Sequence, residues 1–135
     1  MDRKQIGRLG LSYAIVYYSE LGYTISLPLN DTQWYDLIIE KDGIIQTVQC
    51  KSTATESGTI DLRCTGGTNG DVYAQTTDYP LDRLFCLDAY KHMFDIPMSD
   101  IKSLPKIPKT ITLRVVPTTN NQGFPTYKYL VKSLS

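Results

Sequence analysis

The sequence predicts an α/β (α+β) domain, with an N-terminal helix followed by a mixed β-sheet around a central Asp-Gly hairpin. Ile6, Leu9, Tyr13, Val16, Tyr17 and Leu21 recur at helical spacing near the start. Asp42-Gly43 stands between two apolar runs, a hairpin signal because Gly accepts the positive φ of a tight turn. After that, short strand-like runs succeed one another without a repeat or a second long helical pattern. With 135 residues the chain is long enough for one ordinary core, and residues 1–135 read as a single domain.

The helix is expected from about Arg3 to Leu21, with Gly22 as its stop. Tyr23 to Leu29 reads as a strand, closed by Pro28 and the polar loop from Asn30 to Gln33. The hairpin WYDLIIEKDGIIQTVQCKST, Trp34 to Thr53, follows. Thr59 to Cys64 alternates as a further strand, and Gly66 to Gly70 (GGTNG) is a loop that lacks the Lys-Ser/Thr of a phosphate-binding loop. Leu81 to Ala89 looks like a buried strand, and Met93 to Ile96 a short one after a turn at Lys91-His92. Pro97 to Ile101 resembles a helical turn, and Leu104 to Pro108 is a stiff connector. Thr110 to Val115 alternates well and Tyr127 to Lys132 more weakly, both as strands.

The hairpin poses the chemical question. If Asp42 and Gly43 form the loop, Lys41 faces Ile44, Glu40 faces Ile45, and counting outward Asp36 faces Gln49. Lys51 lies two residues beyond Gln49 and shares its face. A carboxylate, an amide and an ammonium thus gather in one patch, which a one-residue slip in register would destroy. Asp36 interrupts the apolar Tyr35, Leu37, Ile38 and Ile39, which predicts partial burial, and a partly buried carboxylate is costly unless paired or metal-bound. Polar residues on a strand pair also mark a plain solvated face, so pairing geometry alone leaves both readings open.

Composition bounds the class. Hydrophobic residues make up 41% and charged residues 21%, as in a soluble globular protein, and no apolar run approaches the length of a membrane span. MDRKQIGRLG is not a signal peptide by its pattern. Cys50, Cys64 and Cys86 are odd in number and widely spaced, which suits a reducing cytoplasm and fits neither a disulfide framework nor a zinc site. The formal net charge is zero, yet the distribution is uneven: no acid follows Asp100, and that tail holds Lys102, Lys106, Lys109, Arg114, Lys128 and Lys132. His92, the sole histidine, reads as a polar surface residue near a turn, and Cys50 as a small packed residue. Tyr17, Tyr18 and Tyr23 read as core or subunit contacts.

A helix, a strand, then a hairpin with Asp on one arm and Q-x-K on the other resembles the PD-(D/E)XK nuclease superfamily. The motif is Tyr35-Asp36 with Gln49-Cys50-Lys51, where Gln replaces the usual acid. The similarity points to the branch of bacterial group I intron-encoded homing endonucleases and extends through VYAQTTDYPLDRLFCLDAY and the IPMSDI segment.

The resemblance implies a restriction-endonuclease-like core and a Mg²⁺-dependent DNA endonuclease, with other divalent cations possible, that makes a double-strand break at a long target. It implies catalytic Asp36, Gln49 and Lys51. The metal ligands would be the Asp36 carboxylate, the Gln49 amide oxygen and the Cys50 carbonyl, since Mg²⁺ takes oxygen ligands and few of them from protein. The family often places a Glu on the first helix, and the matching position here is Leu11. It also implies duplex DNA as partner and self-association as a homodimer or homotetramer, with symmetry matching two half-sites. Candidate DNA contacts are Lys4, Arg8, Asn30, Gln33, Arg63, Arg114, Lys128 and Lys132. The alternatives are a Holliday junction resolvase or restriction-type nuclease, or a DNA-binding module whose nuclease is inactive, which Leu11 would favour.

Overall fold

The structure, a computed structural model, describes residues 2–30, 35–63, 81–103, 110–114 and 124–131. Helix α1, Arg3–Glu20, starts at a capping box: Asp2 Oδ1 accepts the Gln5 N–H at 2.8 Å, and Gln5 Oε1 accepts the Asp2 N–H at 2.8 Å. It ends as the sequence predicts. Gly22 takes φ 92°, Tyr23 N–H returns to Tyr18 O and Gly22 N–H to Ser19 O, which satisfies the last carbonyls.

Strands β1 (Thr24–Ser26), β2 (Leu37–Lys41), β3 (Ile44–Ser52), β5 (Arg83–Leu87) and β6 (Met93–Pro97) form a five-stranded sheet in the order β1-β2-β3-β5-β6. Only β3 and β5 run parallel; the other pairs are antiparallel. Strands β4 (Thr59–Arg63) and β7 (Thr110–Arg114) pair as a separate antiparallel ribbon. A short helix α2 (Met98–Lys102) follows β6, and a 3-10 turn spans Thr126–Tyr129. This is the helix-plus-mixed-sheet architecture expected of the restriction-endonuclease-like core.

The hairpin register is the predicted one, from Lys41↔Ile44 to Leu37↔Val48. Asp42 and Gly43 both take positive φ, 54° and 81°, as a two-residue turn matched to strand twist requires. Lys91 turns between β5 and β6 at φ 70°.

Three expectations are corrected. The strand over Tyr23–Leu29 shortens to Thr24–Ser26, and Leu27 and Leu29 are exposed. The segment Tyr127–Lys132 is not a strand in its described part; the 3-10 turn precedes a single bridge, Leu130↔Phe94. The buried stripe of α1 runs through Gly10, Ala14 and Tyr18, while Val16 and Leu21 are exposed. The apolar pattern missed this because a small residue and a tyrosine, not the aliphatic ones, sit closest to the sheet. The predicted loop at 66–70 and connector at 104–108 lie outside the described residues.

The sheet has an apolar cluster on each face. Ala14 and Tyr18 of α1 pack with Leu37, Ile39, Val48, Phe85, Leu87 and Met93. On the other face Leu84, Cys86, Phe94 and Ile96 pack with Ile60 of β4, Leu113 of β7 and Phe124. A polar network pins α1 to the sheet. Asp95 accepts the hydroxyls of Tyr17 (2.9 Å) and Tyr18 (2.8 Å) and the Arg83 Nε–H (2.8 Å). Burial and this carboxylate push both tyrosines far above their ordinary range.

Asp95→Ala removes one acceptor from three donors and leaves Arg83 without its carboxylate. It is expected to cost roughly 3 kcal/mol in urea-unfolding stability, since breaking an enclosed pair strands its partner. At Gly10 an added Cβ would overlap Ser52 Oγ while lying 3.3 Å from Ser52 Cβ. Gly10→Ala is therefore expected to destabilise by about 1–3 kcal/mol through overpacking, and Ser52→Ala in the same chain to recover most of it. A double-mutant cycle measures the coupling.

Candidate active site

Strand β3 is the platform. It pairs with β2 on one side and with β5 on the other, so its side chains are locked into strict alternation. Val48 and Cys50 belong to the α1-side cluster, and Ser52 meets α1 at Gly10. Gln49 and Lys51 therefore turn to the opposite face, in register with Leu84 and Cys86 of β5, and both are half-buried. The predicted sharing of one face by Gln49 and Lys51 follows from this alternation.

Asp36 differs in detail from its expected place. It lies at a bend just before β2, so the ladder's last pair is Leu37↔Val48 and Asp36↔Gln49 is not a strand pair. Its N–H donates to Val48 O at 2.8 Å, and its carboxylate Oδ2 accepts the Cys50 N–H at 2.7 Å. The side chain thus replaces the backbone acceptor that a continued β2 would have offered. Asp36 is exposed, not partly buried as its apolar flanks suggest, because the bend turns it out of the core.

The same bond locates a second oxygen. The N–H and C=O of one strand residue point to the same side, so the Cys50 carbonyl is directed to the side of Asp36, where β2 has not yet begun. Asp36 and the Cys50 carbonyl present oxygen donors side by side, with a single carboxylate, and Gln49 precedes Cys50 on the same strand with an amide oxygen of its own. Their chemistry fits a hard divalent cation that keeps several of its waters. No group of three or more His, Cys, Asp or Glu able to hold a metal occurs among the described residues.

The two thiols among the described residues, Cys50 and Cys86, are poorly suited as nucleophiles. Burial, then the Asp36 carboxylate, hold the Cys50 thiol far above its ordinary range. Burial pushes Cys86 up to about 12 against the pull of the nearby Lys51 ammonium.

Leu11 is half-buried and packs against the α1-side cluster, as does Cys50. The adjacent Gly10 crosses β3 at Ser52, and position 11 carries an apolar side chain into the cluster that Cys50 also packs against. A glycine inside a helix costs about 1 kcal/mol relative to alanine, and that cost was the sequence signal for a close crossing.

The expected DNA contacts are not gathered in one place. Lys4 and Arg8 are exposed, one turn apart on α1. Asn30, also exposed, follows β1 at one sheet edge, while Lys128 lies in the turn that bridges β6 at the other. Arg63 and Arg114 stand at opposite ends of the β4–β7 ribbon. Gln33 and Lys132 lie outside the described residues.

A mixed sheet with an Asp at the mouth of a hairpin and Q-x-K on its second arm defines a nuclease-type core. The sequence matches the PD-(D/E)XK endonuclease family over residues 1–127, and the chain belongs to that family. Among solved structures it is similar to that of the bacterial homing endonuclease I-Ssp6803I. The TM-score is 0.64 at 18% identity, covering 96% of this chain and 87% of that one. No curated protein matches. Among the described residues no helix is long and apolar enough to cross a membrane.

The buried thiol gives an alkaline limit. The folded state holds the Cys86 proton more tightly than the unfolded chain, where the value is 9.0. Its contribution is complete below about pH 9 and is lost as pH rises towards 12. The urea midpoint is expected to fall across that window, and less steeply in Cys86→Ala.

Proposed function

We propose that this chain is a divalent-cation-dependent DNA endonuclease that makes a double-strand break at a long, specific target, with Mg²⁺ as the cation. The observation that supports this best is the Asp36 carboxylate seated on the Cys50 N–H at 2.7 Å, beside the strand that holds Gln49 and Lys51. In this reading Asp36, the Gln49 amide oxygen and the Cys50 carbonyl hold the cation. When bound, the cation polarises the scissile phosphate and makes water a better nucleophile. The Cys50 N–H fixes the Asp36 carboxylate through Oδ2, and Oδ1 would be the oxygen offered to a cation. Lys51 orients the attacking water, helps remove its proton and offsets the charge that develops on the phosphate. The long target calls for a homodimer or homotetramer, and the working compartment is the cytoplasm.

A second reading has a specific observation behind it. With Leu11 packed in the apolar cluster, the site holds one carboxylate, and a module that binds DNA without cutting it follows from that deficit.

The two separate in one assay. A pool of long duplexes is incubated with Mg²⁺ and the wild-type chain, Asp36→Ala, Lys51→Ala or Leu11→Glu. Discrete cuts are expected from the wild type, falling at least about a hundredfold in each alanine variant, the scale of losing one group that stabilises developing charge. Cuts that appear only in Leu11→Glu would show a disabled nuclease. Tight binding with no cuts in any variant would sink the enzyme reading.

A further inference from the structure

The turn between β5 and β6 holds a second chemical constellation. The Asp88 side chain is 0% exposed and accepts three bonds. Oδ1 takes the Tyr90 N–H at 2.9 Å and the His92 N–H at 2.7 Å, and Oδ2 lies 2.8 Å from His92 Nδ1. An ionised carboxylate only accepts, so Nδ1 carries the proton and the ring is fixed in place. Nε2 points away from Asp88 on a side chain that is 41% exposed, with no partner among the described residues. Lys91, between them, is exposed at φ 70°, and its N–H donates to Asp88 O at 3.2 Å.

The position of this turn gives it meaning. β5 runs parallel to β3, with Lys51↔Cys86 and Ser52↔Leu87 in register, and Thr53 N–H donates to Leu87 O at 3.0 Å. The turn therefore leaves the sheet at the same end as Lys51, one strand away. A cavity of about 140 Å³ lies between this turn and α1, on the sheet face opposite the Lys51 side chain: Ser52, Thr53, Asp88 and Lys91 line it together with Ile6 and Leu9 of α1. Lys4 and Arg8 are exposed on those same first turns of α1.

We propose that Asp88–His92 is a phosphate-binding turn for the DNA backbone flanking the cleavage site, an assignment that rests on the endonuclease reading. Lys91 supplies a point charge. An imidazolium at His92 donates from Nδ1 to Asp88 and from Nε2 to a phosphate oxygen, so the buried carboxylate acts as the positioning residue. The contact is to the backbone and carries no sequence information. Its signature is therefore electrostatic and uniform across sequences.

The test is fluorescence anisotropy on a long mixed-sequence duplex without divalent cation, from about 50 to 200 mM KCl. The proteins are the wild type, Lys91→Asn and His92→Gln. Asn tolerates a positive φ, so Lys91→Asn removes the charge without straining the turn, and its unfolding midpoint checks the fold. The slope of log affinity against log salt is expected to shrink by about one in Lys91→Asn, with a several-fold loss that is equal on unrelated duplexes. His92→Gln is expected to weaken binding in the same uniform way. Unchanged slope and affinity in Lys91→Asn, with the wild type still binding and cutting, would overturn this assignment alone. Failure of the wild type to bind duplex DNA would overturn it together with the endonuclease reading. A loss confined to one target sequence would also overturn it, because it would mark a base contact.

Discussion

Everything at the site depends on the double bonding of β3. A strand at a sheet edge can bulge or slip, but one paired on both sides has neither freedom. Antiparallel β2 and parallel β5 fix it in register, and alternation does the rest. Cys50 is directed to α1 and the core, and Gln49 and Lys51 to the other face. The Cys50 backbone is left where β2 has ended, and Asp36 fills the missing acceptor. One bond thus closes the hairpin and holds the carboxylate beside the Cys50 carbonyl.

The helix is held by different forces at two places along its length. Near its C-terminus, Tyr17 and Tyr18 bond Asp95, which also engages Arg83. Near its middle, Gly10 lets the backbone come close to Ser52, whose buried hydroxyl has no partner. The first is directional and polar, the second purely steric. Together they fix the height of α1 on the sheet, and hence the place of Leu11 beside β3. An apolar residue there fits the packing as it stands. A glutamate at the same point would meet the apolar surroundings that Leu11 now fills, at a cost in desolvation that only a cation or a basic partner offsets.

Much of this was legible in the sequence because it is local. Asp42-Gly43 determines the hairpin register through backbone conformation, and Asp2 with Gln5 and Gly22 bound the first helix through caps. What was not legible depends on contacts distant along the chain. The bend at Asp36 exists because the side chain competes with the backbone for Cys50 N–H, and no pattern of apolar residues encodes that. The polar anchor of α1 joins residues 17 and 18 to 83 and 95, and only the sheet order brings them together. The final segment alternates like a strand, yet it meets β6 through one bridge and otherwise forms a 3-10 turn. Position 11 stood out only by resemblance, since a leucine in an amphipathic helix signals nothing by itself.

A net charge of zero is a poor guide to how this chain would meet a polyanion, because charges differ in where they point. Among the described residues, several carboxylates are engaged by bonds within the fold. Asp88 takes three from its own turn, and Asp95 takes those of Tyr17, Tyr18 and Arg83. Asp82 accepts the Thr47 N–H, and Asp100 the Tyr129 hydroxyl. Arg83 is the one arginine or lysine in an ion pair among those residues, so the basic side chains of α1 and of the β5–β6 turn remain extended towards solvent. A surface charge acts on a phosphate at contact distance, whereas one held in the fold acts through its neighbours. The carboxylates that stabilise the helix and the turn are thereby engaged within the fold, while Lys4, Arg8 and Lys91 stay exposed. Where each charge is placed, more than the net sum, therefore decides where a polyanion would be held.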